Sequence, residues 1–305
     1  AAHIMNDITH FLQRAEALLA RVEAMLPSPS QPPDWARSVA FRWIKMPHGS
    51  GRGQLHPVTR LHRIRLADLC GIEEQKTRIE QNTRQFIAGK SANNVLLTGA
   101  RGTGKSSLVK AVFNRHAKQG LRIIEVDKYD LVDLPEIVEL IVNRPERFII
   151  FCDDLSFEAS EPGYKTLKSV LDGSIAGMPE NLLIYATSNR RHLMPEYMAE
   201  NLSTKHIDGE VHPDETVEEK VSLSDRFGLW LSFYPFDQDH YLAICAHWLR
   251  EFGLSDKQIA ASQMDALQWS LLRGSRSGRV AWQFARDQAG RLDLGGKGKA
   301  KPRTS

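Results

Sequence analysis

The segment from Asn93 to Ala111 limits what this chain can fold into more than any other part of it. An apolar run, Val95-Leu96-Leu97, enters Thr98-Gly99-Ala100-Arg101-Gly102-Thr103-Gly104-Lys105-Ser106-Ser107, and a helix-compatible run beginning at Leu108 leaves it. The spacing from Gly99 to Ser106 is G-x-x-x-x-G-K-[ST], and a strand before with a helix after is the context that gives this pattern its meaning. Glycines at 99, 102 and 104 allow backbone angles that a Cβ disfavours, so successive N–H groups turn inward at a helix start and surround a phosphate. Lys105 then reaches the outer phosphates of a nucleotide, and the Ser106 hydroxyl is a ligand for Mg²⁺. Ala100, Arg101, Thr103 and Ser107 belong to the same phosphate-contacting loop. The plain alternative, a flexible glycine turn, does not need the flanking pattern.

Around this loop the chain alternates. A helix from about Glu73 to Ala88, stopped at Gly89, precedes it; a helix from Lys105 to about Lys118 follows. Strand-like runs at Leu121 to Val126, Arg147 to Cys152, Asn181 to Thr187 and Leu229 to Tyr234 are separated by helical stretches at Leu134 to Val142 and Tyr164 to Leu171. Strands separated by helices imply a parallel sheet covered on both faces, with the strand C-termini, and therefore a ligand, at one edge. The expected class is α/β, a P-loop NTPase core with a parallel five-stranded sheet flanked by helices. From Asp237 the pattern is wholly helical, with helices to Phe252, from Ser255 or Asp256 to Leu272, and from Gly278 to Leu292. The expected division is residues 1–34 as an N-terminal amphipathic helix (Ile8 to Leu26) and Pro-rich linker, 35–67 as a basic connecting segment, and 68–235 as the core. Residues 236–292 would then be a helical lid and 293–305 a basic flexible tail. The polar, acidic stretch from Ser203 to Ser224 is expected to be a mobile loop or insertion.

Charge is informative through its distribution. The 305 residues carry a net +3 and 42% are hydrophobic, enough for a substantial core. From Trp35 to Ala67 there is no acid, while Arg37, Arg42, Lys45, Arg52, Arg60, Arg63 and Arg65 fall there, and the tail adds Lys297, Lys299, Lys301 and Arg303. Such patches bind nucleic acid by phosphate neutralisation, or form a solvated surface or a site for an acidic partner. Trp35, Phe41 and Trp43 within the first patch suit base stacking, and equally suit anchoring a long connection onto a core. Cys70, Cys152 and Cys245 are far apart, which argues against disulfides and zinc. No apolar run is long enough for a membrane span and no secretory signal is recognisable, so the expectation is a cytoplasmic protein.

A second motif lies downstream. Phe148-Ile149-Ile150-Phe151-Cys152-Asp153-Asp154-Leu155 is an apolar strand ending in two carboxylates. Asp153 there suits holding Mg²⁺ through water, and Asp154 orienting or activating an attacking water; the alternative is an Asx pair capping a turn. Together with Ala186-Thr187-Ser188-Asn189, Ser224-Asp225-Arg226-Phe227 and Ser277-Gly278-Arg279-Val280-Ala281, these segments resemble the Walker A, Walker B, sensor 1, arginine-finger and sensor 2 motifs of AAA+ ATPases, in that family's order. The wording from Cys152 to Glu158 and around the loop resembles a bacterial AAA+ group known as domain of unknown function 815, over about Leu66 to Arg291.

That resemblance implies ATP or ADP and Mg²⁺ as ligands and a homo-oligomer. It implies that Asn189 positions water against the γ-phosphate, that Arg226 reaches the nucleotide of a neighbouring subunit, and that Arg279, or Arg276 if the register differs, contacts the γ-phosphate of its own subunit. Gly71 and Ile72 match the segment that lines the adenine pocket. Most members carry Glu where this chain has Asp154, one methylene shorter, which argues for slow or partner-stimulated turnover; Glu158 is a weaker candidate base. The resulting expectation is an ATPase that remodels or loads a protein or nucleic-acid partner, with a nucleotide-gated adaptor of little hydrolysis as the alternative. A small-molecule phosphotransferase is disfavoured because no arginine-rich lid sits between the core strands.

Overall fold

The computed structural model describes residues 11–19, 21, 33–45, 53–157, 161–173, 177–189, 206–207, 210–211 and 223–295. The strands are β1 (Ala40–Lys45), β2 (Gly53–Pro57), β3 (Val95–Gly99), β4 (Leu121–Glu125), β5 (Arg147–Cys152), β6 (Leu182–Ser188), β7 (His206–Ile207), β8 (Glu210–Val211) and β9 (Leu229–Phe233). The helices of the core are α1 (Glu73–Ile87), α2 (Lys105–His116), α3 (Leu134–Ile141) and α4 (Pro162–Asp172).

The main sheet has the order β2-β1-β4-β5-β6-β3-β9. β3, β5 and β6 are apolar and almost wholly buried, as strands covered on both faces must be. Alternating side chains divide between two cores. Leu96, Ile150 and Ile184 face one side with Ile137 and Ile141 of α3 and Leu167 of α4. Val95, Leu97, Ile149 and Tyr185 face the other with Ile79 and Phe86 of α1 and Leu108 and Val112 of α2.

The sheet has seven strands, not the five expected. β4, β5, β6, β3 and β9 are the expected parallel set, and the basic segment adds two more. β1 pairs parallel with β4, and β2 returns antiparallel on β1. Trp35, Phe41 and Trp43 are buried against the core, so these aromatics anchor the segment. The Trp43 indole N–H donates to Asp133 at 2.9 Å, and its ring occupies the space where a side chain at Gly53 would stand. The cations on this hairpin meet acids distant in sequence: Arg42 pairs with Glu125 at 2.8 Å, and Lys45 with Asp133 at 3.2 Å.

A helical unit follows β9: α5 (Gln238–Glu251), α6 (Asp256–Ala261), α7 (Gln263–Leu272) and α8 (Gly278–Gly295). Asp237 caps α5, and a reciprocal Ser255–Gln258 cap starts α6. Tyr241, Ile244, Leu249, Ile259, Ala281 and Phe284 form its small core. The single helix expected up to Leu272 is broken at Ser262, a buried residue whose hydroxyl donates to the Gln258 carbonyl at 2.8 Å and accepts from Gln288 at 3.2 Å. Satisfying that hydroxyl locally competes with a continuous helix.

Residues 11–19 and 21 are helical within the expected N-terminal helix, with Phe11, Leu12, Leu18 and Leu19 exposed; the rest of that helix and the Pro-rich linker up to residue 32 lie outside the described residues. So do Glu158, the tail from residue 296, and the Ser203–Ser224 stretch apart from β7, β8 and its last two residues. Among the described residues no helix is long and apolar enough to cross a membrane.

Candidate nucleotide-binding site

The topology brings the expected residues to one edge. β6 lies between β3 and β5, so Thr187 and Asn189 at its end fall between the glycine-rich loop after β3 and the acid pair after β5. They line a cleft of about 730 Å³ that runs between the core and the helical unit.

Two glycines show why the loop has its composition. Gly104 is the N-cap of α2 with φ +101; a Cβ there would meet Ile72 and Leu69 only at ordinary contact distance, 3.7 and 3.8 Å, so the left-handed backbone itself is what disfavours a side chain. Gly102 has φ +75 and lies so close to Ser277 that a Cβ would stand 2.8 Å from its hydroxyl. The same close approach lets the Arg279 N–H donate to the Gly102 carbonyl at 3.4 Å, so the start of α8 rests on the loop.

Lys105 is buried and donates to the Gly99 carbonyl at 2.8 Å, the Ala100 carbonyl at 2.7 Å and the Asn189 side-chain oxygen at 2.9 Å. Burial pushes its pKa down to about 8; Arg101 and Arg279 act in the same direction, against the attraction of Asp154 and Asp153. Ser106 donates to Asp153 at 2.5 Å, and Thr187 donates to the same carboxylate oxygen at 2.6 Å. Asp154 has φ +54, a left-handed geometry that Asp tolerates better than most residues. The Thr187 hydroxyl holds it there by accepting from the Asp154 N–H at 2.9 Å. The Asn189 amide donates to the Asp154 carboxylate, so Asn189 links Lys105 to Asp154.

Of the remaining expected residues, Ile72, Arg101, Thr103, Ser107 and Arg279 line the cleft, whereas Gly71, Gly99, Ala100 and Arg276 are not among its lining. Gly99 and Ala100 act through the carbonyls that hold Lys105. Gly71, with φ +76, starts the turn into α1 beside His240 and Phe236. Arg226 lies outside the cleft, in the turn before β9, and pairs with Asp172 at the end of α4. Thr187 sits within the sensor-like segment, where the sequence attaches no role to it. His62, Leu69, Lys110, Trp248 and Trp282 also line the cleft and were missed. Helical spacing from Ser107 points to Lys110; nothing local in the sequence marks His62 or the two tryptophans, which arrive from distant elements.

A charged bridge ties the cleft wall to the helical unit. Arg65 contacts Asp68 at 2.6 Å and Glu251 of α5 at 2.8 Å, and the buried Nε2 of His247 lies 3.5 Å from Asp68. Burial alone would raise the Asp68 carboxyl, but the hydrogen bonds from Arg65 outweigh it and hold it below the usual range.

Comparison with known proteins agrees with this architecture. The Aeropyrum pernix ORC1 protein, solved in complex with DNA, superposes with a TM-score of 0.51 at 16% identity, over 75% of this chain and 62% of that one. A proline-to-glycine mutant of Thermotoga maritima RuvB superposes with a TM-score of 0.50 at 17% identity, over 77% of this chain and 68% of that one. An alanine-to-serine mutant of the same RuvB gives a TM-score of 0.50 at 15% identity over 75% of this chain, which spans 66% of the RuvB chain, just under two thirds of its length. No curated protein has a sequence that matches this chain. The shared fold is that of AAA+ P-loop ATPases. Within it, a family match over residues 36–292 shows that the chain belongs to the family described as "Protein of unknown function (DUF815)".

Proposed function

We propose that the cleft binds Mg·ATP and hydrolyses it, and that the reaction drives movement of the helical unit against the core to remodel or load a protein or nucleic-acid partner. The observation carrying this reading is the convergence of Lys105, Ser106, Asp153, Asp154, Asn189 and Arg279 on one cleft. The donor set suits Mg²⁺: a hydroxyl and a carboxylate in mutual contact, all oxygen, few enough to leave water and phosphate in the remaining positions. Ser106 and Asp153 would hold the ion, whose chemistry is to neutralise phosphate charge.

This chain's own groups do the rest. Lys105 releases the loop carbonyls and takes phosphate oxygens in their place. Asp154, turned toward Asn189, shares with it the orientation of a water for in-line attack on the γ-phosphorus; the β–γ bridging bond breaks and leaves ADP and phosphate. Arg279, at the α8 start resting on Gly102, offsets γ-phosphate charge within the subunit. Arg226, outside its own cleft, would complete the site of a neighbouring copy in a homo-oligomer, and a cytoplasmic setting fits such an enzyme.

A second reading, a nucleotide-gated adaptor that hydrolyses little, is favoured by the Asp154 carboxylate being engaged by Asn189. Steady-state ATP turnover measured against protein concentration, with and without DNA, separates the two. The enzyme reading expects turnover that rises with assembly. In Arg226→Ala it expects unchanged ATP affinity and a loss of concentration-dependent turnover of about 10³-fold, the size of an arginine-finger contribution. Full activity in that variant at every concentration overturns the in-trans role; no turnover under any condition favours the adaptor.

A further inference from the structure

Four polar residues that line the cleft, His62, Asp68, Lys110 and Gln283, lie outside the phosphate loop and the groups that converge on it. The walls divide by character: Lys105, Asp153, Asp154, Asn189 and Arg279 surround the phosphate end, while Ile64, Leu69, Ile72, Ile244, Trp248 and Trp282 make an apolar compartment. Of the four, Asp68 is held by Arg65 and Gln283 lies on α8, which leaves His62 and Lys110.

Their placement is fixed by α2. Ser107, Lys110 and Asn114 are spaced three and four residues apart and so share one face of that helix. Asn114 spends both its amide hydrogens on the strap that precedes α1, donating to the His62 carbonyl at 2.6 Å and to the Ile64 carbonyl at 2.9 Å. The strap therefore crosses the α2 face one turn beyond Lys110, and its His62 lines the same cleft as Lys110. Ser107 ends the phosphate loop on this same face. A nucleotide held by the loop would run from phosphate past Ser107 to its sugar, and then to its base in the apolar compartment.

We propose that Lys110 and His62 form a ribose-reading subsite, in which the Lys110 ammonium donates to the sugar hydroxyls and a His62 ring nitrogen completes the 2′-hydroxyl's hydrogen bonding. This rests on the reading of the cleft as an ATP site and adds a selection the phosphate loop cannot make: ribonucleotide over deoxyribonucleotide. One matched hydrogen bond lost, with the polar partner left unpaired, corresponds to roughly tenfold in affinity.

The test is equilibrium binding of ATP, 2′-deoxyATP and GTP to the full chain and to His62→Ala, Lys110→Met and the double variant. Asn114 grips the strap by backbone carbonyls and Met keeps the apolar stem of Lys110, so the variants retain the fold, which a thermal melt checks. The expected result is ATP binding about tenfold tighter than 2′-deoxyATP in the parent chain and a ratio near one in the double variant. Equal affinities for ATP and 2′-deoxyATP in the parent overturn the subsite, as does an equal loss for both ligands in the variants. A change in the ATP-to-GTP ratio alone means that His62 reads the base, and also overturns it. Failure of the parent to bind any of the three ligands instead refutes the ATP reading on which the subsite rests.

Discussion

The candidate cleft and the outer β1–β2 edge of the sheet both gather basic side chains, and they treat charge in opposite ways. At the edge, each cation that anchors the hairpin has its own acid, Arg42 with Glu125 and Lys45 with Asp133 and Asp130. In the cleft, Lys105 is held on two backbone carbonyls and an amide oxygen, with its proton affinity lowered by burial. A charge satisfied by an acid of the same chain contributes to architecture. One resting on neutral oxygens is poorly compensated and is improved by an arriving anion.

The edge should break by loss of packing. Trp43→Ala removes a fully buried ring, leaves Asp133 without its indole donor and opens a void over Gly53. The expected cost is about 3–5 kcal/mol of folding stability, read by chemical denaturation. Molecules that remain folded should bind ATP as the parent does. Lost binding in a folded Trp43→Ala chain would mean that the edge and the cleft are not separable.

The cleft should break by loss of ligand with little loss of fold. Lys105→Ala removes charge-assisted contacts to phosphate, and roughly 30- to 150-fold weaker ATP binding is expected by titration calorimetry. Because the lysine carries a burial penalty in the empty protein, its removal should leave the melting temperature unchanged or raised. A large drop in stability would show the Lys105 contacts to be structural.

The lowered pKa of Lys105 gives a pH signature. In the folded chain it loses its proton near 8, below the ordinary 10.5, so its protonated form costs stability in full below about 8. That cost is relieved as pH rises from there to 10.5, because the unfolded chain binds the extra proton. Phosphate reverses the preference: ATP binding above pH 8 should take up a proton, and affinity should fall by up to about tenfold per pH unit. Calorimetry in buffers of different ionisation enthalpy measures that uptake. No uptake at about pH 8.5 would mean that the lysine is already fully charged in the empty site.

These two regions also differ in how far the sequence revealed them. The loop after β3 and the acid pair after β5 were legible because each is local: a few consecutive residues carry both the strand signal and the chemistry. The α2 helix follows from the same segment. The β1–β2 hairpin was not legible as strands, because Gly53-Gln54-Leu55-His56-Pro57 has little apolar alternation and becomes a strand through its pairing with β1. Its charges suggested an anion site because the acids that answer them, Glu125, Asp130 and Asp133, lie far along the chain. The same distance hid Trp248 and Trp282, which enter the cleft only once the helical unit folds onto the core.

The smallest effect bears most directly on the edge's chemistry. Arg42 is more than half exposed, at 57%, and Glu125 about a third, at 34%, so water and salt screen the pair. Arg42→Gln should cost less than about 1 kcal/mol. Combined with Lys45→Gln it removes two positive charges without touching the buried face of β1. If the hairpin is architecture alone, fluorescence anisotropy with single-stranded or duplex DNA should give the same affinity and the same salt dependence before and after. If instead these cations neutralise phosphates when a nucleic acid arrives, exchanging Glu125 and Asp133 for it, affinity should fall. The slope of log affinity against log salt should then drop by close to one for each cation removed. A flat result keeps Arg42 and Lys45 with the sheet, and turns the search for an anion surface toward Arg60 and Arg63, which the same strap carries past the cleft.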